Sequence, residues 1–499
     1  MRQWGSSLHH NGVSFFLARV PAGTEFYHGT SEASPINGTE WLAFEPEHAM
    51  VFARPHRGPP PRPHDDYEEE NVRHGELRKR EHGMDEEIPG PPQRPLPETF
   101  EDDTGYLHTY AAAKDLRLLY IDGMSAAKTA MGTLDSQDLV LFNGSIEDLP
   151  RGGWQENERA RLACELAENE WEGRIDGVLR MEAGFEIILC QFERDLTPIR
   201  ITQVKQEAMR DGPRGPGPKD NRKHGDHGAR GPGDDPRKHS NGPGGPGRPG
   251  GPGHGPNSSR WMRAVTARYN GIGGNRVSLN FDHFVTAFSH NGELFQEDSR
   301  HPRIDNLSNE DLSAIRDEVT NMIKTHHPAE FCEDWQAITD MIVTRYAKEL
   351  SYFGSGKIES LQRLQDEIDR VLSPFIDSGN RDLEAEIGRC ATQFLPVQTL
   401  GEDTLTVRAV YGVAWKICSS LVEAQSRGDL GSAVRVIRDL VGYLDWATWK
   451  ECRGCEANEI CVVPIWPMGT VEDYESPKCR DASDPYPQGG ESYWGGMHP

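Results

Sequence analysis

Residues 26–30 and 41–44, Phe26-Tyr27-His28-Gly29-Thr30 and Trp41-Leu42-Ala43-Phe44, are the part of the sequence that decides the fold. Both stretches are short and aromatic, with polar residues around them, which is typical of β-strands. Glu45-Pro46-Glu47-His48-Ala49 comes next, and a proline suits the first turn of a helix. Strand, turn, strand and short helix is an order that can build a nucleotide pocket.

Further strands and one helix extend this pattern. The other strand candidates are short runs rich in Val, Ile, Leu and Phe: Ser14–Val20, Leu116–Ile121, Asp138–Phe142, Gly177–Arg180 and Phe185–Phe192. A helix is predicted from about Gln155 to Trp171, because Ala160, Ala163 and Ala167 recur on one face. Strands predominate, so residues 1–54 and 101–207 are predicted to form a mixed α+β domain and not a doubly wound sheet.

Two segments of biased composition interrupt the chain. Residues 55–100 are rich in Pro, His, Glu and Arg, and residues 208–259 are dominated by Gly and Pro. Such segments bury too little apolar surface to offset the entropy that ordering costs. The first is therefore predicted to be a disordered insertion, and the second a flexible linker.

The rest of the chain is predicted to be helical and to end in a cysteine-rich tail. Leu312, Ile315, Val319 and Met322 recur at helical spacing, and Ser308 is a plausible helix start. Similar apolar stripes follow, so residues 260–450 are predicted to form a helical bundle. Residues 451–499 are the cysteine-rich tail.

Bulk properties exclude some classes of function. The chain has 54 Lys and Arg against 79 Asp and Glu, a net charge of −25, which argues against nucleic-acid binding. No run of about 18 apolar residues is present, so no membrane span is predicted. The first residues lack the pattern of a signal peptide, because the apolar run at 13–18 is short and leads into Arg19.

The opening strands resemble those of ADP-ribosyltransferases of the diphtheria-toxin and poly(ADP-ribose) polymerase type. The resemblance covers about thirty residues and implies NAD as the cofactor. It implies that His28 hydrogen-bonds the ribose, and that its strand, with Gly29 and Thr30, holds the nicotinamide end. Trp41 or Phe44 would take the place of the family's stacking tyrosine.

A catalytic glutamate is also implied by this resemblance, to stabilise positive charge at the reacting sugar carbon. Glu186 is the best placed candidate and Glu182 the second. The family's tyrosine is replaced here, and no motif places its glutamate. The alternative is that His28 caps a turn and that the aromatic residues belong to the core.

Other polar groups near strand ends carry weaker signals. Tyr120–Thr129 ends in Lys128-Thr129 like a phosphate-binding loop, but Ala127 and Asp122 stand where that loop requires glycine, which argues against a nucleotide triphosphatase. Paired carboxylates could support glycoside hydrolysis. The candidates are Asp122, Asp135, Asp138, Asp176 and Glu182. Most of them are predicted to be solvated turn residues.

Four cysteines of the tail form the most specific local cluster: Cys452, Cys455, Cys461 and Cys479. Cys452-x-x-Cys455 has the spacing of zinc ligands, but the cluster lacks the second close pair of a zinc ribbon. Two disulfides are favoured because the tail is short and loop-rich, and zinc stays the alternative. Cys164 and Cys190 are either a third pair or buried thiols.

Most of the chain also resembles a group of fungal proteins without an assigned function, which are often exported. The resemblance is carried by residues 40–49, 118–126, 183–190 and 465–469, ahead of Cys479. It implies fungal origin and an extracellular location. Four Asn-x-Ser/Thr sites, at Asn37, Asn143, Asn257 and Asn306, are compatible with glycosylation during export.

Taken together, the sequence predicts an exported fungal protein. Its activity stays open, and the hypothesis for its α+β domain is an NAD-dependent, ADP-ribosyltransferase-like one. A flexible linker joins that domain to a disulfide-capped helical domain. The alternative is a non-enzymatic secreted protein that acts in interaction or at a surface.

Overall fold

The computed structural model describes most of the chain outside the two segments of biased composition. Described are residues 10–54, 104–144, 155–204, 276–295, 303–327, 333–483 and 491–494, apart from residues 130, 183, 305 and 453. The predicted insertion at 55–100 and the predicted linker at 208–259 lie outside the described residues.

A nine-stranded sheet forms the centre of the fold. Its strands in chain order are β1 (Asn11–Val20), β2 (Glu25–Thr30), β3 (Glu40–Ala43), β4 (Gly105–Ala112), β5 (Leu116–Gly123), β6 (Gly177–Met181), β7 (Phe185–Leu189), β8 (Leu196–Val204) and β9 (Ser278–Thr286). The order across the sheet is β8-β4-β2-β3-β7-β6-β5-β1-β9. Strands β5 and β6 are parallel, and the other neighbours are antiparallel. The α+β class predicted from the sequence is confirmed.

One predicted strand is wrong, and three strands of this sheet were not predicted. Residues 138–142 lie in a π-helical turn, Ser136–Leu141, since a short apolar run does not distinguish a buried strand from a helical segment. The turn is fixed by its polar groups: Gln137 donates to the Ser125 carbonyl oxygen at 2.9 Å, and Asp138 pairs with Arg159 at 2.7 Å. The unpredicted strands are β4, β8 and β9.

Among the described residues, four helices accompany the sheet: α1 (Pro46–Met50), α2 (Glu156–Glu165), α3 (Phe192–Asp195) and α4 (Asn309–Thr325). Helix α2 continues as a π-helical turn, Leu166–Glu170, so the predicted helix of about residues 155–171 is present. Ser308 caps α4 together with Asp311, as predicted. Trp171 and Val319 share one buried core with strands β1 and β5.

Five further helices form a separate core: α5 (Trp335–Gly354), α6 (Leu361–Leu372), α7 (Leu383–Thr392), α8 (Leu405–Gln425) and α9 (Leu430–Leu444). Among the described residues, α8 is the one helix that is long and apolar enough to cross a membrane. It packs against α6, α7 and α9, and Ile417 and Leu421 are fully buried there. A disulfide between Cys390 and Cys418 joins α7 to α8.

The tail folds back onto the sheet. It contains β10 (Glu459–Val462), α10 (Val471–Glu475) and β11 (Lys478–Asp481), and β10 pairs with β11. Disulfides join Cys452 to Cys461 and Cys455 to Cys479, as favoured over zinc. Val462, Ile465 and Trp466 pack into the core under β2, β3 and β7.

The predicted domain boundaries therefore need a correction. Strand β9 pairs with β1, and α4 packs on the sheet, although residues 260–450 were predicted as one helical domain. An apolar stripe identifies the buried face of a helix but not the element that the face packs against. The helical core begins at α5.

Candidate functional site

A cleft of about 370 Å3 lies beside α1, within the size range of small-molecule sites. Its walls come from β2, β3 and α1, from Lys128 after β5, from the start of α2, and from Glu182 and Glu186 around the β6–β7 turn. The residues singled out as cofactor-binding, His28, Gly29, Thr30 and Trp41, line this cleft together with both predicted catalytic glutamates.

Phe44 is an exception, because its side chain lies in the core and not on the cleft wall. It is 1% exposed, and its ring centroid is 5.0 Å from that of Phe26. Since side chains alternate between the two faces of a strand, neighbouring aromatic residues of one strand do not share a role. Trp41 is the aromatic residue of β3 that reaches the cleft.

Strand pairing explains why residues distant in sequence meet here. Tyr27 of β2 lies opposite Ala43 of β3, and Ala43 lies opposite Glu186 of β7. Helix α1 closes against this surface at Gly29, where a Cβ atom would lie 1.9 Å from the carbonyl oxygen of Ala49. Glycine is therefore required in the Tyr-His-Gly-Thr strand by the close approach of the helix backbone.

His28 is held in one orientation. Its Nδ1 is 2.8 Å from the carbonyl oxygen of Trp41, and a carbonyl only accepts, so Nδ1 carries the proton. Burial lowers the pKa of His28, while the hydrogen bond to Trp41 opposes that shift. In the neutral ring Nε2 is then a hydrogen-bond acceptor, which suits a donor such as a sugar hydroxyl.

A network of buried ion pairs holds the glutamates. Arg180 is fully buried, and its Nη2 donates to Glu186 Oε1 at 2.5 Å and to Glu156 Oε2 at 2.6 Å. Lys128 Nζ lies 3.0 Å from Glu182 Oε2 and 3.6 Å from Glu156 Oε2. The two predicted catalytic carboxylates are thus bound by different cations.

The glutamates of this network differ in protonation. Burial works to raise the pKa of Glu156, but Arg180 and Lys128 outweigh it and lower that pKa to about 2. Burial raises the pKa of Glu182 to about 7; Lys128 opposes this shift and Glu186 adds to it. A permanently charged carboxylate beside one that titrates near neutrality is an arrangement suited to acid–base chemistry.

His48 completes the buried end of the cleft. Burial lowers its pKa to about 4, so the ring is neutral near pH 7. Ligand atoms of His48, Glu182 and Glu186 lie within 4.8 Å of one another, a set that could hold a metal ion. Lys128 and Arg180 already neutralise these carboxylates, so the geometry favours an acid–base site over a metal centre.

Several of these residues were missed by sequence reasoning. Lys128 was set aside together with the phosphate-binding loop, and Arg180 and Glu156 belong to no motif. The acidic residues predicted to be solvated are in part buried and ion-paired: Asp135 is 2.8 Å from Arg303, and Asp176 is 2.9 Å from Lys114. Sequence spacing did not reveal these pairs, because they join separate elements.

Comparisons with known proteins cover the part of the chain that contains the cleft. Residues 1–214 match the family described as the YPL277C N-terminal domain. The N-terminal part is similar to this yeast family. Two Saccharomyces cerevisiae relatives are similar to it, "Uncharacterized protein YOR389W" and "Uncharacterized protein YPL277C". Each is 35% identical to this chain over an aligned stretch that covers 39% of the chain. That stretch covers 30% of the first relative and 39% of the second.

The chain thus spans less than two fifths of the curated relatives it matches. Neither relative's name states an activity. No solved structure matches the chain. The function is therefore argued from the cleft itself.

Proposed function

We propose that the sheet domain is an ADP-ribosyltransferase-like enzyme that breaks the N-glycosidic bond of NAD. The observation that supports this is the convergence of His28, Trp41, Glu182 and Glu186 on one cleft. These residues come from three strands and a turn. A core or capping role for His28 and Trp41 does not account for the two carboxylates beside them.

The residues present fit the nicotinamide riboside end of NAD. His28 Nε2 is the acceptor atom of the ring, because Nδ1 donates to the Trp41 carbonyl oxygen, and we assign it to a ribose hydroxyl. The Trp41 side chain offers a flat surface for the nicotinamide ring. With Phe44 in the core, Trp41 alone of the two predicted aromatic residues takes this role.

The chemistry needs a charged group and a base near the reacting carbon. Bound NAD would supply a positively charged nicotinamide ring as the leaving group. When the bond from ribose C1′ to nicotinamide breaks, its electron pair stays on nicotinamide, which leaves as a neutral molecule. The acceptor bonds to C1′ and loses one proton. Glu186, ion-paired with Arg180, faces the developing positive charge. Glu182, with a pKa of about 7, accepts the proton.

Nicotinamide release from NAD tests the proposal. Glu186→Gln keeps the shape and an oxygen for Arg180 but removes the charge. Turnover should fall by about 100-fold or more, while the affinity for NAD changes little. The matched control is Asp135→Asn, another buried carboxylate paired with an arginine but outside the cleft, and it should keep the wild-type turnover per folded molecule.

Two results would overturn the proposal. The first is folded wild-type protein that neither binds NAD nor releases nicotinamide, with either water or protein acceptors. The second is equal loss of turnover in Glu186→Gln and in the control, which would indicate a general effect on the fold.

We also infer that the protein is exported through an oxidising compartment. Four disulfides support this: Cys164–Cys190, Cys390–Cys418, Cys452–Cys461 and Cys455–Cys479. Asn37, Asn143 and Asn306 are exposed, as N-glycosylation requires, and Asn257 lies outside the described residues. A mass decrease after endoglycosidase treatment of the native protein is expected. Recovery of unmodified protein from the cytosol would contradict the inference.

A further inference from the structure

The ion pairs at the buried end of the cleft do not balance in charge. Among the described residues, this network joins three cations to four carboxylates, and each side chain is at most 15% exposed. Water therefore screens the surplus negative charge only weakly. The members are Lys128, Arg159, Arg180, Asp138, Glu156, Glu182 and Glu186.

Three of the four carboxylates each pair with a different cation. Three such pairs are neutral together, so the cations do not need a fourth carboxylate. The pairs are Lys128–Glu182 at 3.0 Å, Arg180–Glu186 at 2.5 Å and Arg159–Asp138 at 2.7 Å.

Glu156 is the fourth carboxylate, and it contacts all three cations. Its Oε2 lies 2.6 Å from Arg180 and 3.6 Å from Lys128. Its Oε1 lies 3.0 Å from Arg159. Burial opposes the ionisation of Glu156, but these cations lower its pKa to about 2, so Glu156 stays charged. The surplus negative charge must therefore be relieved at another carboxylate.

The backbone is strained where it presents Glu156. Gln155, the residue before it, has φ 57° and ψ 19°, in the left-handed region that residues other than glycine rarely adopt. A helix usually starts from an extended residue. Strain of this kind concentrates at functional sites, so the position of Glu156 has a role beyond the start of α2.

Glu182 is the least neutralised of the other carboxylates. Glu186 and Asp138 each accept two hydrogen bonds from an arginine. Among the described side chains, Glu182 accepts one hydrogen bond, from Lys128, and Lys128 is shared with Glu156. A proton that relieves the surplus charge therefore binds to Glu182.

The groups that face Glu182 agree with this assignment. Burial raises its pKa to about 7; Lys128 opposes the shift, and Glu186 and Glu156 add to it. His48 of α1 lies against the same carboxylates and is neutral near pH 7, because burial lowers its pKa to about 4.

We propose that Glu156 is a positioning residue that keeps a proton on Glu182, by adding a fourth carboxylate to a network of three cations. The charge balance does not depend on any reaction. Its consequence for catalysis rests on the proposed function: a Glu182 that ionises near neutral pH is a base strong enough to take the proton of the acceptor.

Stability measurements test the inference without an assay of the reaction. The contribution of Glu182 is the difference in the free energy of unfolding between a protein and its Glu182→Gln variant, measured in urea from pH 4 to 8. In the wild-type background this difference should change between about pH 4.5 and 7. Glu156→Gln leaves three cations and three carboxylates, so it should fold. In that background the change should end at least about one pH unit lower, because Glu182 then loses its proton more easily.

Two further variants separate charge from structure. Glu158→Gln is the matched control, because Glu158 lies in the same helix and accepts from Arg161 at 2.9 Å but is not on the cleft wall. It should leave the pH dependence unchanged. Glu156→Asp keeps the charge and should restore most of the wild-type pH dependence.

The pH profile of nicotinamide release is the second measurement. Turnover should rise with pH as the base loses its proton. In Glu156→Gln the midpoint of this rise should move down by about one pH unit or more, and in Glu158→Gln it should stay in place. A purely structural defect would lower turnover by the same factor at every pH.

Several results would overturn the inference. They are an unchanged pH range in folded Glu156→Gln, an equal shift in Glu158→Gln, and failure of Glu156→Gln to fold, since the cations would then need Glu156 for neutralisation. A stoichiometric divalent metal ion in the wild type that Glu156→Gln loses would also overturn it, because the metal and not a proton would offset the surplus charge. Absence of nicotinamide release would reject the proposed function alone, since the stability measurement decides the inference.

Discussion

Lys128 Nζ lies 5.6 Å from the ring centroid of Trp466, which joins the candidate site to the C-terminal tail. Trp466 is 1% exposed, and Lys128 is 6% exposed. The indole packs in the core beneath the sheet. The tail is thus part of the structure that keeps a buried ammonium group in place beside Glu182.

Replacing Trp466 by leucine should weaken both the fold and the site. The change removes most of a buried aromatic side chain, so the free energy of unfolding should fall by about 2–4 kcal/mol. Nicotinamide release per folded molecule should fall as well, because Lys128 loses the surface it packs on. Denaturant unfolding and the release assay measure the two effects.

Trp494→Leu is the matched control for that prediction. Trp494 is as deeply buried in the same tail, and its Nε1 donates to the Met468 carbonyl oxygen at 2.9 Å. Its loss should lower stability without a comparable loss of turnover. Equal effects of the two variants on turnover would show that the contact with Lys128 has no specific role.

The tail disulfides should stabilise the sheet domain. Replacing Cys455 and Cys479 by serine removes their bridge and should lower the free energy of unfolding by about 2–4 kcal/mol, measured by denaturant unfolding.

The chain has nine cysteines, and eight of them lie in disulfide bridges. Thiol titration of the denatured but unreduced protein should therefore detect about one thiol per chain. Stoichiometric zinc with about five titratable thiols would contradict the pairing, since Cys452, Cys455 and Cys479 could also ligate a metal.

The central strands were predictable from sequence because they are apolar and buried on both faces. Every residue of β7 is buried, including Glu186, and five of the eight residues of β5 are buried, so both stretches are rich in Leu and Ile. Strand β8 has mostly exposed residues, and its pairing with β4 defines it more than its own composition does. The place of β9 beside β1 depends on contacts across a long stretch of chain, which no local pattern encodes.

The site was predictable to the extent that its residues lie on those strands. His28, Trp41 and Glu186 were selected as candidates on strands, and all three line the cleft. Lys128 was not, because its role arises from burial beside Glu182, which is 54 residues further along the chain. Ion pairs between separate elements become visible only when the topology places them together.

Gly29→Ala should displace α1 from the cleft. The added methyl group would lie 1.9 Å from the Ala49 carbonyl oxygen, which belongs to the helix backbone and cannot rotate away. The free energy of unfolding should fall by about 1–3 kcal/mol. NAD should also bind more weakly, because α1 forms one wall of the cleft. Gly412→Ala is the control: no atom lies within 4 Å of its added methyl, and alanine in a helix should stabilise by up to about 1 kcal/mol. Unchanged stability in Gly29→Ala would contradict the packing of α1.

Glu182 should leave a signature in the pH dependence of stability. Burial raises its pKa from 4.5 to about 7, so between these values the folded protein keeps a proton that the unfolded chain has released. The contribution of Glu182 to the free energy of unfolding therefore falls as pH rises through this window. His48 acts in the opposite direction: its pKa is lowered from 6.5 to about 4, so its contribution rises with pH between about 4 and 6.5.

These opposing contributions partly cancel in the wild type, and Glu182→Gln separates them. The variant has no carboxyl proton to lose at position 182. Its free energy of unfolding, relative to that of the wild type, should therefore increase with pH from about 4.5 to 7, by up to about 1.4 kcal/mol per pH unit. Above pH 7 the difference between the two proteins should stay constant. The slope is the diagnostic quantity, because the weaker contact of glutamine with Lys128 shifts the whole curve by a fixed amount. Urea unfolding of both proteins from pH 4 to 8 measures it. If the stability of the two proteins changes with pH in parallel, Glu182 ionises in its ordinary range. It would then be too weak a base for the role proposed.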